Sequence, residues 1–153
     1  MSNEYRELLS EVFCDVIEKL AFMFGEPVEI GDFEPCEAGY LKASLTFSGH
    51  MSGELDIYSS MDMALDLAAN VLGADPDDDD VQEQVTDSLK ELLNVTCGNL
   101  LVAIAGEEPV FEVSAPDAGS LSENEWKELI KSEELIGILV DECPVILRLK
   151  VDK

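Results

Sequence analysis

Positive charge is scarce in this chain. Nine Lys and Arg stand against thirty-four Asp and Glu in 153 residues, for a formal net charge of −25 at pH 7. A field of that sign repels phosphate backbones and anionic lipid headgroups, which argues strongly against nucleic acid and a polybasic membrane contact as partners. Histidine is nearly missing too, with His50 the only one. The cysteines Cys14, Cys36, Cys97 and Cys143 include no C-x-x-C pair, so a zinc site has too few ligands at usable spacing. The stretch MSNEYRELLSEV is acidic from residue 4 and lacks a charged-then-apolar leader. The expectation is a cytoplasmic chain with reduced thiols. No apolar run reaches the roughly eighteen residues that a membrane span requires, so no membrane insertion is expected.

What is present is the raw material of a folded core. Hydrophobic residues make up 46% and charged residues 28%, and the length suits a single domain over 1–153. Leu8, Leu9, Val12, Phe13, Val16, Ile17, Leu20 and Phe24 recur at helical spacing, which predicts a helix over 4–24 closed by Gly25 and Pro27. Strands are predicted at 28–30, 40–48 and 53–58, the last two joined by a hairpin containing Gly49 and Gly53. A second helix spans 60–72 with Gly73 as its stop. The acidic run 75–80 lacks the glycine and terminal glutamate of a calcium loop. It reads as solvated surface that places carboxylates at the start of the next helix, 81–105. A strand at 109–114, a polar loop at 115–124, and a helix from the capping box Ser122-x-x-Glu125 through Ile130 come next. Strands at 135–140 and 145–151 end the chain.

A long helix followed by three strands thus occurs twice. The pattern predicts an α+β fold, a pseudo-symmetric repeat with a largely antiparallel sheet and its long helices packed on one face.

The helix at 81–105 is unusual. At about 100° per residue, with Glu91 at zero, Asp87 falls near −40°, Asn94 near −60° and Gly98 near −20°. The opposite side, with Leu89, Leu92, Leu93, Thr96, Leu100 and Ile104, is apolar and belongs on the sheet. Solvent-facing helix positions normally hold Lys, Glu, Gln or Ala. Glycine costs about 0.8–1.0 kcal/mol there relative to alanine, and the amide of asparagine competes for backbone groups. One explanation is a partner whose backbone approaches Gly98 while Asn94 and Glu91 reach into its cleft. The other is that Gly98 packs against a neighbouring helix of the same chain and Asn94 caps a loop.

The series Asp87-x-x-x-Glu91-x-x-Asn94-x-x-x-Gly98-Asn99 resembles the signature helix of the CheC/CheX/FliY family of bacterial chemotaxis phosphatases. Chain length, the Gly49/Gly53 hairpin and the two long helices resemble its single-site CheX branch. The first helix carries Ala21 where a second site needs asparagine, so one site is expected. The resemblance implies hydrolysis of the phosphoaspartate of a CheY-type response regulator. Asn94 would orient the attacking water, Glu91 would pair with the receiver's lysine, and Asp87 and Gly98 would contact the partner. It also implies no cofactor of the chain's own, magnesium held by the receiver, and a homodimer. Two alternatives remain open on the residues alone. One is a non-catalytic receiver-binding or flagellar-switch module. The other uses Asp87 and Glu91, at i and i+4, as acid and base or as metal ligands.

Overall fold

The computed structural model describes residues 3–132 and 134–152. The first helix, α1 (Asn3–Ala21), buries Leu9, Phe13, Val16 and Ile17 of the stripe its periodicity marks, together with Ala21. It stops at Ala21, short of 24, because Phe22 turns left-handed with φ 56° while its N–H still donates to the Glu18 carbonyl. Phe22 and Phe24 are consequently exposed, so Phe24 is not part of the buried stripe. The chain continues through β1 (Gly25–Val28), a 3-10 turn at Ile30–Asp32, β2 (Tyr40–Ser48), β3 (Ser52–Ser60) and α2 (Met61–Leu72). Then come α3 (Asp79–Glu83), α4 (Val85–Ala105), β4 (Glu112–Val113), β5 (Asp117–Leu121), α5 (Glu123–Leu129), β6 (Ile136–Val140) and β7 (Cys143–Asp152).

Local signals account for several boundaries. Ser60 caps α2 by accepting from the Met63 N–H, and Gly73 closes it in the left-handed conformation at φ 68°. Ser122 and Glu125 form the complete capping box of α5. The acidic run is exposed, and Asp78 caps α3 with Asp79 and Asp80 in its first turn, where the helix dipole favours them. The helix expected over 81–105 is therefore divided, with Gln84 between α3 and α4.

All strands join one sheet in the order β1-β6-β7-β3-β2, with both β4 and β5 on the far side of β2. Every pairing is antiparallel. The central strands β7 and β3 each carry their hairpin partner, and each outer edge is completed by strands from the other half of the chain. This is the expected pseudo-symmetric α+β arrangement. The expected strand count fails in the second half, where β5 lies inside the stretch read as a loop. The strand expected at 28–30 sits instead at Gly25–Val28, where the edge position tolerates Pro27.

Helices α1, α2 and α4 cover one face of the sheet. Their Phe13, Ile17, Met63, Leu67, Leu89, Leu92 and Leu93 pack on Leu45, Leu55, Ile57, Ile138, Val145 and Leu147. By length and composition alone α4 is apolar enough to cross a membrane, an outcome the sequence reading did not expect. The sheet accounts for that apolarity: Leu89, Leu92, Leu93, Cys97, Leu100 and Leu101 are all buried within the fold. On the other face Trp126 of α5 stacks on Tyr40 at 4.3 Å. On that same face Asp56 is fully buried and its Oδ2 accepts from Arg148 Nε at 2.8 Å.

Candidate functional site

Helix α4 crosses the sheet with its apolar side down, and this fixes what its opposite side presents. The buried residues Leu89, Leu92, Leu93, Thr96, Leu100 and Leu101 set the rotation of the helix about its axis. Thr96 adds a side-chain hydrogen bond back to the Leu92 carbonyl at 2.7 Å, which satisfies its hydroxyl inside the core. With that rotation fixed, Asp87, Glu91, Asn94 and Gly98 all emerge on the solvent side. The four lie on one ridge spanning about 16 Å along the axis, and Glu91 and Asn94 are separated by about 4.5 Å of rise.

Among the described residues, the side chains of Asp87, Glu91 and Asn94 form no hydrogen bond or ion pair. Asn94 therefore does not cap a loop. Gly98 does not pack against a neighbouring helix either, since a Cβ built there meets nothing within 4 Å. Both features weighed as an internal explanation of the stripe are thereby removed. The fold has no steric use for Gly98, so Gly98→Ala is expected to stabilise the isolated protein by about 0.8–1.0 kcal/mol, the helix-propensity difference. Urea unfolding followed by circular dichroism checks it; a loss of stability would mean that Gly98 has an internal role.

The exposed ridge lines none of the cavities of 360 to 530 Å³, which lie around α1, the 3-10 turn and the end of α2. An exposed helix face of this kind suits contact with another macromolecule better than enclosure of a small ligand. Thiol chemistry offers no alternative centre. All four cysteines are free, and burial pushes Cys97 and Cys143 up to about 11, with Asp66 and Asp62 adding to the rise at Cys143. Burial raises Cys14 and Cys36 as well, so none is a ready thiolate at neutral pH. Among the described residues no three His, Cys, Asp or Glu side chains gather to hold a metal ion, and Asp87 and Glu91 have no third ligand beside them.

One further residue stands on the ridge. Val102 lies one turn beyond Gly98, at about +20° on the same angular scale, and is 47% exposed. An apolar residue in a helix reads as core by default, and its phase opposite the buried face is the signal that sets it apart.

The sequence profile described as chemotaxis phosphatase CheX matches residues 41–132, which include the whole of α4. No curated protein sequence matches the chain significantly. Among solved structures, CheX from Desulfovibrio desulfuricans superposes with a TM-score of 0.72 at 14% identity, covering 97% of this chain and 99% of that one. CheX from Vibrio vulnificus superposes at 0.71 with 17% identity, covering 97% of each chain. A Borrelia burgdorferi structure of a CheX-CheY-BeF3-Mg complex matches at 0.68 with 16% identity, covering 97% of this chain and 98% of that one. These likenesses establish the shared fold, and the profile match over more than half of the residues establishes descent. The chain belongs to the CheX family of chemotaxis phosphatases.

Proposed function

We propose that this protein accelerates hydrolysis of the acyl phosphate on the aspartate of a CheY-type response regulator. The observation that carries the reading is Asn94: an exposed carboxamide without a partner, one turn from the exposed carboxylate of Glu91 and beside a glycine for which the monomer has no use. A relative of the same fold in complex with CheY, beryllofluoride and magnesium supports a receiver as the partner.

In this reading the α4 ridge inserts at the receiver's phosphorylated pocket. Glu91 pairs with the receiver's lysine and sets the depth and angle of docking. The Asn94 amide holds a water in line with phosphorus, accepting one water proton through its oxygen and offering its N–H to the water oxygen. The water oxygen bonds to phosphorus as the bond to the aspartyl oxygen breaks. The products are a free aspartate carboxylate and inorganic phosphate, with one proton released to solvent. Phosphoryl transfer calls for positioning and charge stabilisation, with little covalent work from the protein. A neutral amide suits that task, because a carboxylate at the same place would repel the phosphoryl oxygens. Magnesium belongs to the receiver in this scheme, and Asp87 and Gly98 provide contact, Gly98 by admitting the receiver's backbone. The same reading has the protein act in the cytoplasm as a homodimer.

The test is loss of phosphate from a magnesium-loaded phosphorylated receiver with and without the protein. The wild type is expected to accelerate it. Glu91→Ala removes one partner of a docked ion pair, which costs about 2 kcal/mol or more, roughly 30-fold in kcat/KM. A receiver that binds and keeps its phosphate at the uncatalysed rate would support the non-catalytic binding module instead.

A further inference from the structure

The exposed face of α4 changes character halfway along. Asp87 and Glu91, its first exposed positions, are acids, whereas Asn94, Gly98, Asn99, Val102 and Ala103 carry no charge. From Leu92 to Ala105 there is no Asp, Glu, Lys or Arg. The other long helix, α1, packs beside α4 and behaves differently. Its exposed positions with described side chains, Glu7, Glu11, Asp15, Glu18 and Lys19, are all charged. In a protein of net charge −25, a neutral exposed seam along several helical turns is not explained by solubility. The core does not explain it either, since these positions face solvent. Among the described residues of α4, Val102 is the large hydrophobic residue left exposed, and valine is a poorer helix former than the Lys, Glu or Gln usual on such a surface.

We propose that Gly98, Asn99 and Val102 form the uncharged half of the receiver-docking surface, with Val102 the apolar contact that selects the receiver. This rests on the phosphatase reading of Asn94 and Glu91 and extends it. The partner is a receiver whose surface next to the phosphorylated aspartate is uncharged and apolar on one side and cationic on the other. The physical reason is that interface centres are depleted of charge, because an ion desolvated without a partner is costly. Val102 lies about 12 Å along the axis from Asn94, within the footprint of an ordinary interface of about 800 Å² per partner. The acidic end of the ridge and its uncharged end therefore read different parts of one receiver, and together they fix its orientation along the helix.

The experiment compares wild type with Val102→Glu, Val102→Lys and Val102→Leu. It measures the Kd for a CheY-type receiver carrying beryllofluoride and magnesium, and KM and kcat for the phosphorylated receiver. Both charged variants are expected to weaken binding and raise KM at least 10-fold, with kcat at saturation within 2-fold, whereas Val102→Leu stays near wild type. Melting temperatures should remain close to wild type, because the position faces solvent. Normal hydrolysis with wild-type KM in Val102→Glu overturns the assignment and leaves the phosphatase reading standing. Tighter binding by Val102→Lys also overturns it, since the seam would then report the overall field and not an apolar contact. Loss of a dimer in the charged variants with unchanged KM identifies a self-interface and overturns it as well. Binding without hydrolysis in the wild type, weakened in both charged variants, supports the docking assignment and removes only the phosphatase reading.

Discussion

Asn94→Ala is expected to reduce receiver dephosphorylation at least 100-fold, to near the uncatalysed rate, with affinity for a beryllofluoride-loaded receiver changed by less than about 3-fold. The asymmetry follows from what the residue touches. Its amide is exposed and has no partner among the described residues, so its removal leaves the monomer's interactions intact. Alanine is the better helix former by up to about 0.7 kcal/mol, so the variant should be no less stable than wild type. Loss of activity then cannot be attributed to unfolding. In the proposed mechanism what disappears is the group that holds a water in line with phosphorus, and misplacing a nucleophile by about 1 Å can cost 100-fold. Asn94→Asp makes the complementary case: similar in shape, it brings a negative charge against the phosphoryl oxygens and should be comparably inactive. Single-turnover loss of phosphate from the receiver reads both variants. Full activity in Asn94→Ala would remove the water-orienting role.

Arg148→Ala is expected to produce a large loss of stability, about 3–5 kcal/mol, with the exposed face of α4 unaffected. Asp56 is fully buried on the sheet face opposite the helices, and Arg148 lies directly across from it in the register of β3 and β7. The Arg148 Nη2 atom lies 2.7 Å from Asp56 Oδ2 and 3.3 Å from Glu54 Oε2, and Tyr58 donates to Asp56 Oδ2 at 3.3 Å. Asp56 Oδ1 has no hydrogen-bond partner, so the arginine is the main compensation for this charge. Removing it strands a buried carboxylate, whereas removing both charges costs less. Asp56→Asn combined with Arg148→Met should therefore be more stable than Arg148→Ala, a non-additivity readable by urea denaturation. A loss under about 1 kcal/mol in Arg148→Ala would mean that the pair is effectively solvated.

The exposed face of α4 was legible in the residues because helical periodicity is a local property. The apolar residues from Leu89 to Leu100 had to face the sheet, so Asp87, Glu91, Asn94 and Gly98 had to face away. The capping box at Ser122 and the stop at Gly73 were legible for the same reason, since each satisfies backbone groups within a few residues. β5 was not. Asp-Ala-Gly-Ser-Leu has no alternation to read, and its membership of the sheet comes from backbone pairing to β2, which side-chain pattern does not encode at an edge. The end of α1 at Ala21 was missed too, because apolar spacing continues through Phe24 while the backbone has already turned at Phe22.

The residues by themselves determined the acidic character and the helix phases, Val102 included, because these depend on neighbours within about two helical turns. Only the tertiary structure decided that Gly98 stands in open space and that Asp56 depends on an arginine 92 residues away. Those facts concern distances between segments remote in the chain, and such distances exist only once the sheet has assembled and the helices have packed across it.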